Sequence, residues 1–160
     1  MNSKTLNMIA FFVTAVSALL LSQGIGIWVN DSIVLGTTVE INSFIHFTHI
    51  RNYGGVFGLA QGSGWLFGMF SILILFGISA YLLLANNLSR YEYICFGFVV
   101  GGGTSNIIDR LIHGGVIDFI DIQQIPHWNY VFNTADVMIH LGIWPLLIFG
   151  FLLSRNSKDT

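Results

Sequence analysis

The stretch "WLFGMFSILILFGISAYLLLA", residues 65–85, has no charged side chain, and the charge-free run around it extends from Arg51 to Arg90. A helix needs about 20 apolar residues to cross the hydrocarbon of a bilayer. The run therefore predicts a transmembrane helix, and it places the chain among membrane proteins.

Other charge-free runs indicate how many helices accompany this one. The chain of 160 residues is 54% hydrophobic and 9% charged. The remaining runs lie between Lys4 and Asp31, between Glu92 and Asp109, and between Asp136 and Arg155. Together they predict four spans, near residues 6–28, 65–85, 91–111 and 135–153, within one membrane domain of residues 1–160.

The distribution of basic residues predicts how these spans are oriented. Cytoplasmic loops of membrane proteins carry an excess of Lys and Arg. With four spans, one side carries Lys4, Arg90, Arg155 and Lys158, and the other carries Arg51 and Arg110. We therefore expect both termini in the cytoplasm, and the segments 30–64 and 112–134 on the outer side.

The two outward segments have the composition of β-strands. Residues 33–57, "IVLGTTVEINSFIHFTHIRNYGGVF", nearly alternate between apolar and polar, and Gly115–Ile122 surrounds two aspartates with β-branched residues. Successive side chains of a strand point to opposite faces, so Asp118 and Asp121 are not expected to be partners. We interpret Asp121 as a solvated loop residue. The predicted fold is a mainly α membrane protein with a small β-rich segment at the outer face.

Acidic residues gather at one end of the predicted spans. Only residues 93–108 separate Glu92 from Asp109, so Asp109 must lie within membrane depth at the outer end of the third span. Asp136 begins the fourth span, and Asp118 lies on the short connection between the two. An ionisable group within the membrane is costly and indicates a functional site.

Two neighbouring carboxylates suit one chemistry in particular. They cannot both ionise easily, so they share a proton, and one acts as a base on water while the other acts as an acid. This is the chemistry of an aspartic protease. Two structural alternatives remain open: Asn133 and Asp136 have the spacing of a helix N-cap and its third-position acid, and Asp109 can form an ion pair with Arg110.

Other chemistries fit the sequence less well. His46 and His49 would point to opposite faces of a strand, so we expect no metal site and no cofactor. Ser105 lacks a nucleophile-elbow motif, and His140 is interpreted as a packed helix residue. A net charge of −2 provides no basic surface for nucleic acid. A transporter is disfavoured because the acids cluster at one face and the chain has no repeat.

Four motifs resemble those of a known family. "RNYGGVF" (51–57), "NIIDR" (106–110), "GGVIDFI" (114–120) and "FNTADVMIHLG" (132–142) closely resemble, in order, the motifs of lipoprotein signal peptidases, the type II signal peptidases of bacteria. The resemblance implies that Asp118 and Asp136 are the catalytic dyad. It also implies that the following residues line or support the site: Asn52, Gly54, Asn106, Asp109, Arg110, Asn133 and Ala135.

The resemblance also implies a substrate and a location. The substrate is a prolipoprotein that carries diacylglycerol on its lipobox cysteine, and it is cut on the amino side of that cysteine. The enzyme is expected to be a monomer in the bacterial inner membrane, surrounded by lipid, with its active site at the periplasmic face. The alternative is a non-catalytic relative that binds lipidated peptides or a partner protein.

The first span departs from the family pattern. The family usually shows Leu-Asp-Gln-x-x-Lys, whereas this chain has "LSQGIG" at residues 21–26, with Ser22 in place of the acid and Gly26 in place of the lysine. Ser105 replaces a glycine that usually precedes the asparagine. Both aspartates of the implied dyad are retained.

Overall fold

The computed structural model of the chain describes residues 3–85 and 87–156, so Lys158, which contributes to the predicted orientation, lies outside the described residues. Helices dominate the fold, and a single small sheet is inserted between them. In chain order the elements are α1 (Ser3–Ser32), β1 (Thr38–Glu40), β2 (Ile45–Asn52), a 3-10 turn (Val56–Gly58), α2 (Gly64–Leu84), α3 (Arg90–His113), β3 (Val116–Ile122), β4 (Val131–Phe132) and α4 (Thr134–Asn156).

Three helices of the described chain are long and apolar enough to cross a membrane. They are α1, α2 and the part of α4 from Thr134 to Phe151. The sequence predicted four spans, and α3 covers the predicted span 91–111 without being apolar enough to join the three. α3 is less apolar than the other helices because it packs against α1, α2 and α4 and presents polar and small residues to them.

Glycines allow α1 and α3 to approach closely. A Cβ atom added to Gly97 would lie 2.8 Å from the carbonyl oxygen of Phe11, and one added to Gly101 would overlap the backbone of Ala15. Small residues spaced four apart commonly form such contacts between membrane helices. The glycine-rich stretch of α3 is therefore a packing surface.

The two ends of α3 are defined by capping residues. Ser89 and Glu92 form a reciprocal capping box at the first turn, in which the Ser89 N–H donates to the Glu92 carboxylate at 2.8 Å. At the other end Gly114 adopts the left-handed conformation with φ 74°, which L-residues with a Cβ rarely adopt. This turn ends the helix and directs the chain into β3, which carries Asp118.

The four strands form one antiparallel sheet in the order β1-β2-β3-β4. Asp118 of β3 pairs with Ile50 of β2, and the neighbouring Ile117 and Phe119 pack against Val29 and Ile33 at the end of α1. The strands predicted in the two outward segments are confirmed, whereas β4 was not predicted.

One sequence interpretation fails in this sheet. Asp121 is not a loop residue but lies within β3, where it accepts a hydrogen bond from the Thr48 hydroxyl at 2.7 Å. The alternation of side chains along the strand turns it away from the face that carries Asp118.

Candidate active site

A cavity of about 390 Å³ lies where the sheet meets the ends of α2, α3 and α4. Polar side chains line one part of it, and apolar or aromatic side chains line the rest. The lining residues are Asn52, Gly55, Val56, Phe67, Ser71, Gly103, Asn106, Arg110, Val116, Asp118, Trp128, Tyr130, Val131, Phe132, Asp136, Ile139, His140 and Ile143. Five of the predicted site residues are in this set.

Asp118 is held from two sides by amide groups. The side chain is 2% exposed. Its Oδ1 accepts a hydrogen bond from Asn133 Nδ2 at 2.7 Å, and its Oδ2 accepts one from Asn52 Nδ2 at 3.0 Å. Asn52 is itself fixed, because its Oδ1 accepts from the Gly54 N–H at 2.9 Å. The orientation of the Asp118 carboxylate is therefore set by two asparagines from different parts of the chain.

Asp136 combines a capping role with a place in the cavity. The Asn133 Oδ1 accepts from the Asp136 N–H at 2.9 Å, and the Asp136 Oδ2 accepts from the Asn133 N–H at 3.3 Å. The helix-capping contact that the sequence suggested between Asn133 and Asp136 is therefore present. In addition, the Asp136 Oδ1 accepts from Asn106 Nδ2 at 2.9 Å, and the side chain lines the cavity beside Asp118.

Asn133 connects the two aspartates. Its side-chain amide donates to Asp118 and, at 3.1 Å, to Asn106 Oδ1, while its own Oδ1 and N–H bond to Asp136. A buried polar network restricts its members only when each of them is satisfied, and here the Asn133 amide uses both of its hydrogens. The two carboxylates are consequently held in one fixed arrangement.

The electrostatics of the cavity favour a protonated carboxyl. Burial, followed by repulsion from Asp136, raises the pKa of Asp118 from an ordinary 3.8 to about 7. The hydrogen bonds from Asn52 and Asn133, and the nearby charge of Arg110, act in the opposite direction. Two interacting carboxyls titrate as a pair, so this rise in pKa belongs to the pair of aspartates and not to Asp118 alone.

Arg110 anchors the loop that brings Asn52 to the site. Its guanidinium donates to the carbonyl of Asn106 at 3.2 Å and to the carbonyl of Gly54 at 2.9 Å. Gly54 has no space for a side chain, because an added Cβ would overlap the carbonyl of Leu59. Arg110 therefore contributes positive charge near both aspartates and also positions the loop.

Among the described residues, Asp109 does not form the ion pair that the neighbouring Arg110 suggested. Its Oδ1 accepts from Gln23 at 2.8 Å and its Oδ2 accepts from the Ile117 N–H at 3.1 Å. It is buried behind β3 and does not line the cavity. Ala135 is also buried outside the cavity, where its carbonyl leaves no room for a Cβ on Gly102 of α3.

Some cavity residues were missed from the sequence. His140 was interpreted as a packed helix residue, but it is exposed, lines the cavity one turn after Asp136, and stacks on Trp144 with ring centroids 6.1 Å apart. Trp128 and Phe132 form part of the aromatic wall, with ring centroids 6.3 Å apart. The sequence signal for this wall was the alternation of aromatic residues at positions 128, 130 and 132.

The chemistry open to this arrangement is acid–base catalysis. Within residues 3–85 and 87–156, no group of three His, Cys, Asp or Glu side chains could hold a metal ion. Two carboxyls sharing a proton can activate a water and protonate an oxygen or nitrogen at the same time. The remaining wall of the cavity is apolar or aromatic.

Comparison with known proteins shows the family to which the chain belongs. Residues 14–152 match the family model described as Signal peptidase (SPase) II. A lipoprotein signal peptidase of Microcystis aeruginosa is 38% identical over 88% of this chain and 91% of its own length. One from a Cyanothece species is 36% identical over 93% of this chain and 88% of its own length.

Solved structures share the fold. A bacterial membrane enzyme solved at 2.3 Å resolution superposes with a TM-score of 0.80 and 25% sequence identity, covering 94% of this chain and 91% of its own.

Proposed function

The chain belongs to the signal peptidase II family, and we propose that it cuts its substrate as an aspartic endopeptidase through Asp118 and Asp136. Its function is that of a lipoprotein signal peptidase, which removes signal peptides from prolipoproteins. The supporting residues of the proposal are Asn52, Gly54, Asn106, Asp109, Arg110, Asn133 and Ala135.

One observation carries the catalytic assignment. Asp118 and Asp136 line the same cavity, and Asn133 is hydrogen-bonded to both of them. Capping alone accounts for the contact between Asn133 and Asp136, but it does not account for Asp118, which comes from a strand and is also buried against that asparagine. A pair of carboxyls that share a proton explains why both are retained at the cavity.

The reaction follows from this pair. The ionised carboxylate takes a proton from a water molecule as its oxygen attacks the carbonyl carbon of the scissile bond, while the protonated carboxyl gives its proton to the carbonyl oxygen. The tetrahedral intermediate then loses its C–N bond: the carboxyl that took the water proton gives it to the departing nitrogen, and one hydroxyl of the intermediate returns its proton to the other carboxylate. One new carboxyl and one new amine result, and the pair again holds one proton.

The cavity wall favours a lipidated substrate. Apolar and aromatic side chains of α2, α4 and the segment before α4 continue the cavity beyond the aspartates. Acyl chains can remain in the bilayer while the peptide bond next to the modified cysteine reaches the carboxyls. We therefore propose a diacylglyceryl prolipoprotein as substrate, cut on the amino side of its lipidated cysteine.

The arrangement of the helix ends supports four crossings. Lys4 donates to the carbonyl of Leu83 at 2.9 Å, so the start of α1 lies beside the end of α2, and α3 begins a few residues later at Arg90. From there α3 returns to the sheet, and its 24 residues span about 36 Å. We propose that α3 is the fourth span, with both termini cytoplasmic and the cavity at the periplasmic face of the inner membrane.

The proposal includes a monomeric enzyme. Both carboxyls, and every hydrogen bond that holds them, come from one chain. The proposed site is therefore formed within one chain.

Cleavage of two matched peptides tests the proposal. The purified protein, in detergent or lipid, is given a lipobox peptide with diacylglycerol on its cysteine and the same peptide without it. We expect cleavage of the lipidated peptide alone, with a new amino terminus at the modified cysteine. Binding of the lipidated peptide without cleavage would support the non-catalytic alternative instead, and equal cleavage of both would exclude recognition of the lipid.

A further inference from the structure

The contact surface between α1 and α3 changes character along its length. Near the start of α3 it consists of Gly97 and Gly101 packed on the backbone of α1. Ser105 and Asp109 continue the same face of α3 at intervals of four residues, and here a single α1 side chain, Gln23, reaches across. The helices are thus joined by packing at one end and by hydrogen bonds at the end nearest the sheet.

The Gln23 amide nitrogen, which carries two hydrogens, lies within hydrogen-bond distance of three acceptor atoms on α3. Its Nε2 lies 2.9 Å from Ser105 Oγ, 3.2 Å from the Ser105 carbonyl oxygen and 2.8 Å from Asp109 Oδ1. Ser105 is 2% exposed and Asp109 is 6% exposed, so water has little access to these atoms. A buried carboxylate requires donors, and Gln23 supplies one side of Asp109.

The other side of Asp109 holds the catalytic strand. Asp109 Oδ2 accepts from the backbone N–H of Ile117, which directly precedes Asp118 in β3. The chain of contacts therefore runs from Gln23 on α1, through Asp109 on α3, to the backbone that carries the Asp118 carboxyl. The side chain of Ile117 packs against α1 as well, so this point of β3 is fixed on two sides.

The residues around Gln23 do not share this role. Ser22 is buried, and its hydroxyl has no hydrogen-bond partner among the described residues. A Cβ added to Gly26 would lie 4.0 Å from the side chain of Ile117, which is an ordinary contact. Gln23 is therefore the polar side chain through which this part of α1 reaches Asp109.

We propose that Gln23 is a positioning residue for Asp118, acting through Asp109 on the backbone of β3. The proposal rests on the proposed function, because it assigns a further residue to the same reaction. Ser105 assists by accepting from the same amide, so the serine found in place of the family's usual glycine is part of this contact.

The first test is kinetic. Gln23→Leu keeps the approximate size of the side chain but removes its donors. A misplacement of a catalytic group by a fraction of an ångström to 1 Å lowers the rate by about 10- to 100-fold. We expect a loss of this size in kcat with KM for the lipidated peptide within about twofold of wild type, because the cavity walls are untouched. Ser105→Ala removes one acceptor and should lower kcat by less.

Two comparisons separate positioning from a general effect on folding. Ser79→Ala is the matched control, because Ser79 is also polar in a membrane helix, but its hydroxyl donates to the Leu75 carbonyl of its own helix. It should leave kcat unchanged. In the double variant with Asp109→Asn, Gln23→Leu should add almost nothing to the loss caused by Asp109→Asn. Losses that multiply would overturn the proposed route through Asp109.

Hydrogen exchange provides a readout that does not depend on catalysis. In Gln23→Leu the peptide covering β3, Val116–Ile122, should exchange faster, whereas the peptide covering β1, Thr38–Glu40, should exchange as in wild type. Unchanged exchange in β3, or faster exchange throughout the protein, would refute a local positioning role. If the wild-type protein cleaves no lipidated peptide, the proposed function fails, and the exchange result still decides whether Gln23 holds β3.

Discussion

Replacement of Asn133 by serine tests whether this residue serves the aspartates or only the start of α4. The wild-type side chain donates to Asp118 at 2.7 Å and accepts from the N–H of Asp136 at 2.9 Å. Serine is a good N-cap residue, so the hydroxyl can replace the second contact. It is too short to replace the first. Asn133→Ser therefore removes the hydrogen bond to Asp118, together with the one to Asn106, and retains the helix cap.

The size of the effect follows from the bond that is lost. A hydrogen bond to a charged group contributes about 1.5–3 kcal/mol, which corresponds to roughly 10- to 150-fold in kcat/KM. The direction of the pH effect is also defined. The Asn133 amide opposes the rise in the pKa of Asp118, so its loss raises that pKa further above about 7. We expect the limb of the pH profile of kcat/KM that follows this carboxyl to move to higher pH.

The assay is cleavage of a lipidated lipobox peptide by the purified protein between pH 4 and pH 9. Asn42→Ser is the matched control, because Asn42 accepts hydrogen bonds from Phe44 and Ile45 in an exposed turn of the sheet. It should have wild-type kinetics. If Asn133→Ser also keeps the wild-type kcat/KM and pH profile, Asn133 only caps α4, and the account of how Asp118 is held is wrong.

Three further outcomes are expected. Gly102→Ala should destabilise the protein by about 1–3 kcal/mol, seen as a lower unfolding temperature, because the added Cβ overlaps the backbone of α4. Gly77→Ala is its control and should leave the unfolding temperature unchanged, because the space around Gly77 is open. The raised pKa of Asp118 disfavours the folded state once the carboxyl ionises, so wild type should lose stability relative to Asp118→Asn between about pH 4 and pH 7, by at most about 4 kcal/mol in thermal or chemical unfolding. Reporter fusions after Asn87 should report cytoplasm and those within residues 37–42 should report periplasm; the reverse would invert the proposed orientation.

Helices were predictable because each one depends on a long local pattern. The gaps between charged residues predicted spans 6–28, 65–85, 91–111 and 135–153, and each coincides with a helix, although α2 ends one residue before the predicted boundary. Composition was less informative for α3, because its environment is mostly protein rather than lipid. Strands β2 and β3 were predictable from β-branched residues, but β4 has two residues and is defined by its pairing with β3.

Site residues were predictable where a motif carried them and not where only packing did. Asp118 and Asp136 were predicted from the order of the motifs and both line the cavity, yet no local signal showed that Asn133 is hydrogen-bonded to both. The interpretation of Asp109 as an ion-pair partner of Arg110 relied on sequence adjacency, whereas adjacent residues on a helix point in different directions. The contact of Gln23 with α3 requires the close approach of two helices, which is a tertiary property.

The dyad itself is tested most directly by removing each carboxyl in turn. Asp118→Asn and Asp136→Asn keep the shape of the side chain but cannot exchange the proton, and Asp121→Asn is the control on the opposite face of β3. Turnover of the lipidated peptide is measured for variants that insert into the membrane as wild type does. We predict a loss of at least about 10²–10⁴-fold in each of the first two variants and normal turnover in the third. Near-normal turnover with either Asp118→Asn or Asp136→Asn would contradict the mechanism.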